Sequence, residues 1–109
     1  MPQRYGAQVG IALSGNYIVP GRGFTTYLER LQAGIFVLRL DASLEDREYS
    51  VSAQVINPPV GMEQKWSVSA WKVLNPPPPR PPGSYLVIVT TKDGVSTDID
   101  FDVTAVTFN

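Results

Sequence analysis

The sequence predicts an all-β fold: an antiparallel sandwich, jelly-roll-like, of about seven to eight strands. Most segments alternate apolar and polar residues with a period of two. Turn-forming residues recur between those segments at regular intervals. No stretch reads as a convincing helix. The 109 residues make a single domain, 1–109, long enough for one core and too short for two.

The first strand runs from Tyr5 to Leu13, with Tyr5, Ala7, Val9, Ile11 and Leu13 on one face and Gly6, Gln8, Gly10 and Ala12 on the other. Two glycines inside a strand mark a bulge or a close backbone approach. Ser14 to Gly23 reads as a long loop, with Pro20-Gly21 as its turn signal. Phe24 to Leu31 has features of both helix and strand and is taken as a strand, because Phe24, Thr25, Thr26 and Tyr27 favour one. Gln32-Ala33-Gly34 closes a short hairpin. The organising stretch follows. Ile35, Phe36, Val37, Leu38 and Leu40 form a nearly continuous apolar run, as in a central strand covered on both sides. Asp41 to Glu48 is turn-like, with Leu44 as a plug for the end of the core. In Tyr49 to Ile56, Tyr49, Val51, Ala53 and Val55 face inward, and Ser50, Ser52 and Gln54 face water.

Asn57 to Lys65 reads as a second loop, opened by two prolines, and Trp66 to Leu74 as a strand. Trp66 and Trp71 are five apart, so a regular strand puts them on opposite faces, Trp66 toward the core. The prolines of Asn75 to Gly83 cannot donate ladder hydrogen bonds, so this segment is a stiff connection over the rim of the domain. Ser84 to Thr91 is β-branched and Lys92-Asp93-Gly94 is a turn. The last strand runs from Ile99 to Phe108. The predicted core comprises Val9, Ile11, Phe36, Leu38, Tyr49, Val51, Val55, Val68, Val87, Val89, Phe101 and Val103.

Composition excludes several functions. A net charge of -1 supplies no basic surface for phosphates, so no nucleic-acid partner is expected. Cysteine is absent, which rules out disulfides and thiolate metal sites. Histidine is absent too, removing the usual general base near neutral pH. No stretch has the length of a membrane span and Met1-Pro2-Gln3-Arg4 opens no signal peptide, so neither membrane insertion nor encoded secretion is expected. Asp98, Asp100 and Asp102 have the D-x-D-x-D spacing of a calcium loop, but Val103 stands where that loop needs glycine and Asn109 where it needs glutamate. Glu45, Asp46 and Glu48 lie together on one connection and read as a solvated loop, not as a facing acid pair. The serines have no partner base and G-x-S-x-G is missing. No enzymatic activity, metal or cofactor is therefore expected.

The stretch Gly34 to Ala53, with Gly23-Phe24-Thr25-Thr26 upstream and Asp102-Val103-Thr104-Ala105-Val106 downstream, resembles the small β-domains of bacteriophage tail fibres, tailspikes and virion surface proteins. The motifs are loose, and they cover most of the chain. The resemblance implies a jelly-roll-like sandwich, often trimeric, carried on a virion. It further implies host attachment, with a host-surface receptor such as a glycan as ligand. The alternative is a decoration protein that clamps capsid or tail subunits. The chain departs from the fibre pattern in its proline loop and in lacking an upstream shaft. If the polypeptide begins at Met1 it reads as a separate small protein, which favours a decoration protein or a short head fibre. A homotrimer is also expected because Ile35 to Leu40 and Leu86 to Val89 are apolar on both faces, and one of those faces needs a cover.

The expected ligand-binding residues are Tyr17, Arg22, Trp71 and Arg80. Tyr17, with Asn16 and Arg22, belongs to the first loop, Arg80 to the proline connection, and Asn57 to Lys65 forms a further candidate loop. Tyr17 offers a flat ring with a polar tip; the arginines offer charge-assisted donors. Trp71 is either part of the binding site or part of the oligomer interface.

Overall fold

The computed structural model describes residues 4–12, 15–44, 47–56, 61, 65–77 and 79–108. Nine strands run through the described residues: β1 (Arg4–Ala12), β2 (Gly15–Pro20), β3 (Phe24–Gln32), β4 (Ile35–Leu40), β5 (Tyr49–Val55), β6 (Trp66–Leu74), β7 (Ser84–Lys92), β8 (Val95–Ser96) and β9 (Phe101–Thr107). They form two antiparallel sheets. The first has the order β2-β1-β9-β5; the second has the order β3-β4-β7-β6, with β8 paired to the end of β7. The chain crosses between sheets at β2–β3, β4–β5, β5–β6 and β8–β9. Because β1 pairs β9 and β4 pairs β7, early strands meet late ones in the wrapped manner of a jelly roll.

The core lies between the sheets. Tyr5, Ala7 and Val9 face it from β1; Phe101, Val103 and Ala105 from β9; Phe36, Leu38 and Leu40 from β4; Leu86 and Ile88 from β7. Phe36 and Phe101 meet across the sheets with ring centroids 5.3 Å apart. Leu44 is fully buried and closes one end, as its isolation among polar residues predicts. Thr90 is a fully buried polar residue, and its hydroxyl donates to the Thr97 carbonyl at 2.7 Å, so no polar group is stranded there.

Three readings of the sequence need correction. First, Gly15–Pro20, expected within a loop, is strand β2. Tyr17, Ile18 and Val19 supply the β-branched and aromatic character, while the surrounding glycines and Pro20 supplied the misleading turn signal. This strand and β8 bring the total to nine, above the expected number. Second, the core face of β7 carries Leu86, Ile88 and Thr90, not Val87 and Val89, which face outward and are half-buried. An apolar run on both faces carries no phase information, and here the phase was misread. Third, β9 begins at Phe101, and Thr97 to Asp100 form the crossing from the second sheet to the first. Phe24 to Leu31, taken as a strand, is one, and its ambiguity in the sequence has a physical source. β3 is a strand, but its register against β4 shifts between Phe24 and Leu28 and again between Arg30 and Gln32, which breaks its period of two.

The proline connection does more than bridge β6 and β7. It folds back over the outer face of the second sheet. Val37 and Tyr85 point to that face, away from the core cluster, yet Val37 is only 5% exposed and Tyr85 not at all. Pro76 and Arg80 lie over them, with Leu31, Val73 and Val87 alongside. Part of the surface that was expected to need a partner chain is thus covered by the chain itself. Leu31 and Trp71, each 48% exposed, flank the part that stays open.

Candidate binding face

The proline connection is held by a set of polar contacts that can be traced residue by residue. Its ends are pinched together: Asn75 N donates to the Gly83 carbonyl and Gly83 N donates to Asn75 Oδ1, both at 2.8 Å. Asn75 reaches this geometry in the left-handed region (φ 48°), where asparagine is tolerated better than most residues. Between the ends, Arg39 Nη2 donates to the Pro82 carbonyl at 3.0 Å and Tyr85 Oη donates to the Pro81 carbonyl at 2.7 Å.

The central contact is a fork. Arg80 Nε and Nη2 each donate at 2.8 Å to the two oxygens of Glu29, which stands on β3. Tyr27, two residues earlier on the same face, donates its hydroxyl to Glu29 Oε1 at 2.5 Å. Tyr27 also meets Tyr85 edge to face, with centroids 5.5 Å apart. Donation from Arg80 and then from Tyr27 holds the Glu29 carboxyl below the usual glutamate range. Burial first, then the bond and charge of Glu29, push the Tyr27 phenol up.

A pH dependence follows. The Glu29 value is depressed in the folded chain, so its contribution is fully present above the ordinary glutamate pKa of 4.5 and is lost as pH falls through the lower folded value. The Arg80 Nε–H resonance is expected to be slowly exchanging and shifted near neutral pH, and to collapse to the free-arginine position under acid. A Glu29→Gln variant should show the collapsed signal at every pH. A wild-type signal that titrates at or above 4.5 would contradict this pairing.

The expected site residues do not converge. Tyr17 is on β2, at the outer face of the first sheet, where its ring packs directly over Gly10, its partner in the β1–β2 register. Here an aromatic ring covers a position that has no side chain, whereas the close backbone approach expected of a strand glycine is at Gly6, where an added Cβ would stand 2.9 Å from the Val103 carbonyl oxygen. Asn16 is exposed on the same strand. Arg22 is in the turn before β3, with its guanidinium 4.7 Å from the Tyr5 ring centroid. Trp71 and Arg80 share the outer face of the second sheet. Trp71 pairs Val87, and Val87 pairs Val37, so these three form one cross-strand row. Trp66 faces the opposite way, toward the sandwich, as its spacing from Trp71 requires. Of the loop Asn57 to Lys65, only Gly61 and Lys65 are among the described residues, and Glu45 and Asp46 also lie outside them.

The three aspartates of the D-x-D-x-D run each hold protein groups. Asp98 accepts from Gly34 N at 2.6 Å and pairs with Arg30 at 2.9 Å; Asp100 accepts from Ile11 N at 2.7 Å; Asp102 accepts from Gln54 at 3.3 Å. They stitch the last crossing to both sheets. Among the described residues no group of three acidic, histidine or cysteine side chains is placed to hold a metal ion.

Two features were not read from the sequence. One is the pairing of Glu29 and Tyr27 with Arg80. The sequence does put Tyr27 and Glu29 on one face of a strand, but nothing local brings a residue 51 positions away onto it. The other is a cleft of about 240 Å3 lined by Arg47, Tyr49, Lys72, Val73, Leu74 and Ser84. There the Lys72 ammonium lies 4.4 Å from the Tyr49 ring centroid, and burial pushes the Tyr49 phenol up to about 12. Comparison with protein-family models, with curated proteins and with solved structures returns no match.

Proposed function

We propose that this chain is a non-enzymatic module of a bacteriophage virion surface or fibre, and that it binds a host-surface receptor through the outer face of its second sheet. The virion setting rests on the resemblance carried by Gly34 to Ala53 and its flanking motifs. The binding face rests on one observation: Trp71, half-exposed on a paired strand, at the end of the Val37–Val87–Trp71 row and beside a proline connection pinned in place. A flat indole on a rigid sheet loses little entropy when it stacks on a sugar ring or fills a protein pocket. The hydroxyls of Ser67 and Thr91, bonded to each other on the same face, add polar groups of the kind that orient a glycan.

Trp71→Ala is expected to reduce adsorption of virions, or binding to a glycan array, at least tenfold, about 1.4 kcal/mol, with the fold intact. Unchanged adsorption would refute the assignment. The rival reading, a decoration protein that clamps neighbouring subunits, is favoured by the apolar character of the same row and by exposed Leu31. On that reading Trp71→Ala leaves adsorption unchanged and lowers particle stability. A homotrimer built on the apolar outer face of the second sheet would use its uncovered part, around Leu31 and Trp71. Light scattering of the wild type and of Trp71→Ala tests it: a trimer that the substitution dissociates supports that interface, and a monomer in both excludes it.

A further inference from the structure

We propose that the cleft between the edge strands β5 and β6 is a binding site for a single acidic sugar, one ring that carries a carboxylate. The two edges belong to different sheets. The inward phase of β6 runs Trp66, Val68, Ala70, Lys72, Leu74. Val68 and Ala70 pack on the core, but Lys72 and Leu74 lie beyond it, and Leu74 is 72% exposed. A cation therefore occupies a place where a sandwich ordinarily puts an apolar residue. Its ammonium is 4.4 Å from the ring centroid of Tyr49, across on β5. That contact holds the ammonium at the cleft wall before a ligand arrives, so less entropy is lost on binding.

The lining is made of donors. Arg47, Tyr49, Lys72 and Ser84 surround the cavity of about 240 Å3 together with Val73 and Leu74. All four polar side chains can donate, and no carboxylate among the described residues stands with them. Neither cation has an ion-pair partner among the described residues. Tyr49 is only 6% exposed, yet its hydroxyl has no hydrogen-bond partner among them. Hydroxyls of residues so buried are ordinarily paired, and an oxygen of a ligand would satisfy this one. Burial pushes the phenol up to about 12, so the hydroxyl stays a donor through the neutral and mildly alkaline range. A cleft lined by one sign of charge concentrates anions from solution, even on a chain whose net charge is -1. Val73 and Leu74 add an aliphatic wall for the C–H face of a ring. The volume is below the roughly 300–1,000 Å3 of a drug-sized site, which suits one ring and not a chain of them. Trp71 points to the opposite face of β6, so this site is separate from the receptor-binding face.

The test titrates the full chain with sodium glucuronate and follows the Tyr49 ring and Lys72 side-chain signals by NMR. A saturable shift is expected, with a dissociation constant on the order of a millimolar. Glucose, the same ring without the carboxylate, should bind roughly tenfold more weakly or worse, and so should glucuronate to Lys72→Gln. Lys72 is exposed, so that variant keeps the fold. Tyr49→Phe keeps the ring beneath Lys72 and removes only the hydroxyl, and should weaken glucuronate by about three- to tenfold. Lys92→Gln removes an equal charge at the far end of β7, opposite Trp66, and should change binding by less than about twofold. No saturable shift at tens of millimolar glucuronate overturns the proposal, and so does equal binding of glucose. Inorganic phosphate bound as tightly as glucuronate overturns the sugar assignment, since the cleft would then read charge alone. Equal losses in Lys72→Gln and Lys92→Gln overturn the placement of the site.

Discussion

Replacing Phe36 with alanine is expected to destabilise the domain by about 3–5 kcal/mol. Phe36 is fully buried on β4, which lies inside the second sheet between β3 and β7. Its ring faces Phe101 of the first sheet at 5.3 Å and 52°. The pair is where the two sheets meet, so removing one ring loses its transfer free energy and leaves a cavity. Strands on either side, fixed by ladder hydrogen bonds, cannot collapse into that cavity. For a domain with a total stability of about 5–15 kcal/mol, this is a large share. The denaturant midpoint should fall steeply with little change in slope. A midpoint within the error of wild type would mean that the sheets do not pack through this pair.

The second large effect is expected from Gly34→Ala. Gly34 has φ 75°, and a Cβ there would stand 2.5 Å from both the Thr90 carbonyl oxygen and the Thr97 nitrogen. Neither atom is free to move. Thr90 N donates to the Gly34 carbonyl at 2.8 Å and Thr97 N to the Thr90 carbonyl at 3.0 Å, while Gly34 N is held by Asp98. Left-handed backbone alone costs about 1–2 kcal/mol for alanine. With the clash, about 2–4 kcal/mol is expected, a fall in melting temperature of roughly 10–20 °C. Gly94→Ala is the control. Its φ of 82° carries the same backbone penalty, but nothing lies within 4 Å of the added methyl. It should lower the melting temperature by roughly 4–8 °C. Equal losses in the two variants would show that the crowding at Gly34 is not real.

How much of this was legible depends on what each residue's signal measures. Strict alternation in Tyr49 to Gln54 gave both strand and face, because water on one side and core on the other leave a period of two in the sequence. The plug at Leu44 was legible because a lone large apolar residue among charges needs a reason. β7 was legible as a strand but not in phase: Tyr85 and Val87 are apolar because a second layer covers them, and the covering residues lie in a different segment. The same holds for the binding face. Trp71 could be assigned outward from its spacing to Trp66 alone. That Arg80 would be bound to Glu29 could not be read, since the pair is created by the fold of a nine-residue connection rather than by any local pattern. Tyr17 carried a readable hint in its strand partner, as two glycines on one strand left room for a ring, but only the register shows that it covers Gly10.

The place of β9 has a consequence for how the molecule is made. It is the last strand of the sandwich to leave the ribosome, yet it lies between β1 and β5, with Arg4 opposite Val106 and Val55 opposite Phe101. Until it emerges, the β1–β2 hairpin and β5 have no common neighbour, and the first sheet does not exist. The second sheet can pair β3, β4, β6 and β7 earlier, but the inward side chains of Phe36, Leu38, Leu86 and Ile88 then have no opposite layer. The nascent chain thus carries a half-built, adhesive sheet until β9 has been made. Closing it joins residues as distant in sequence as Arg4 and Val106, which makes this step slow relative to hairpin formation. Chaperone capture or self-association of unfinished chains is the hazard, and it ends when a single seven-residue strand is inserted between two waiting edges.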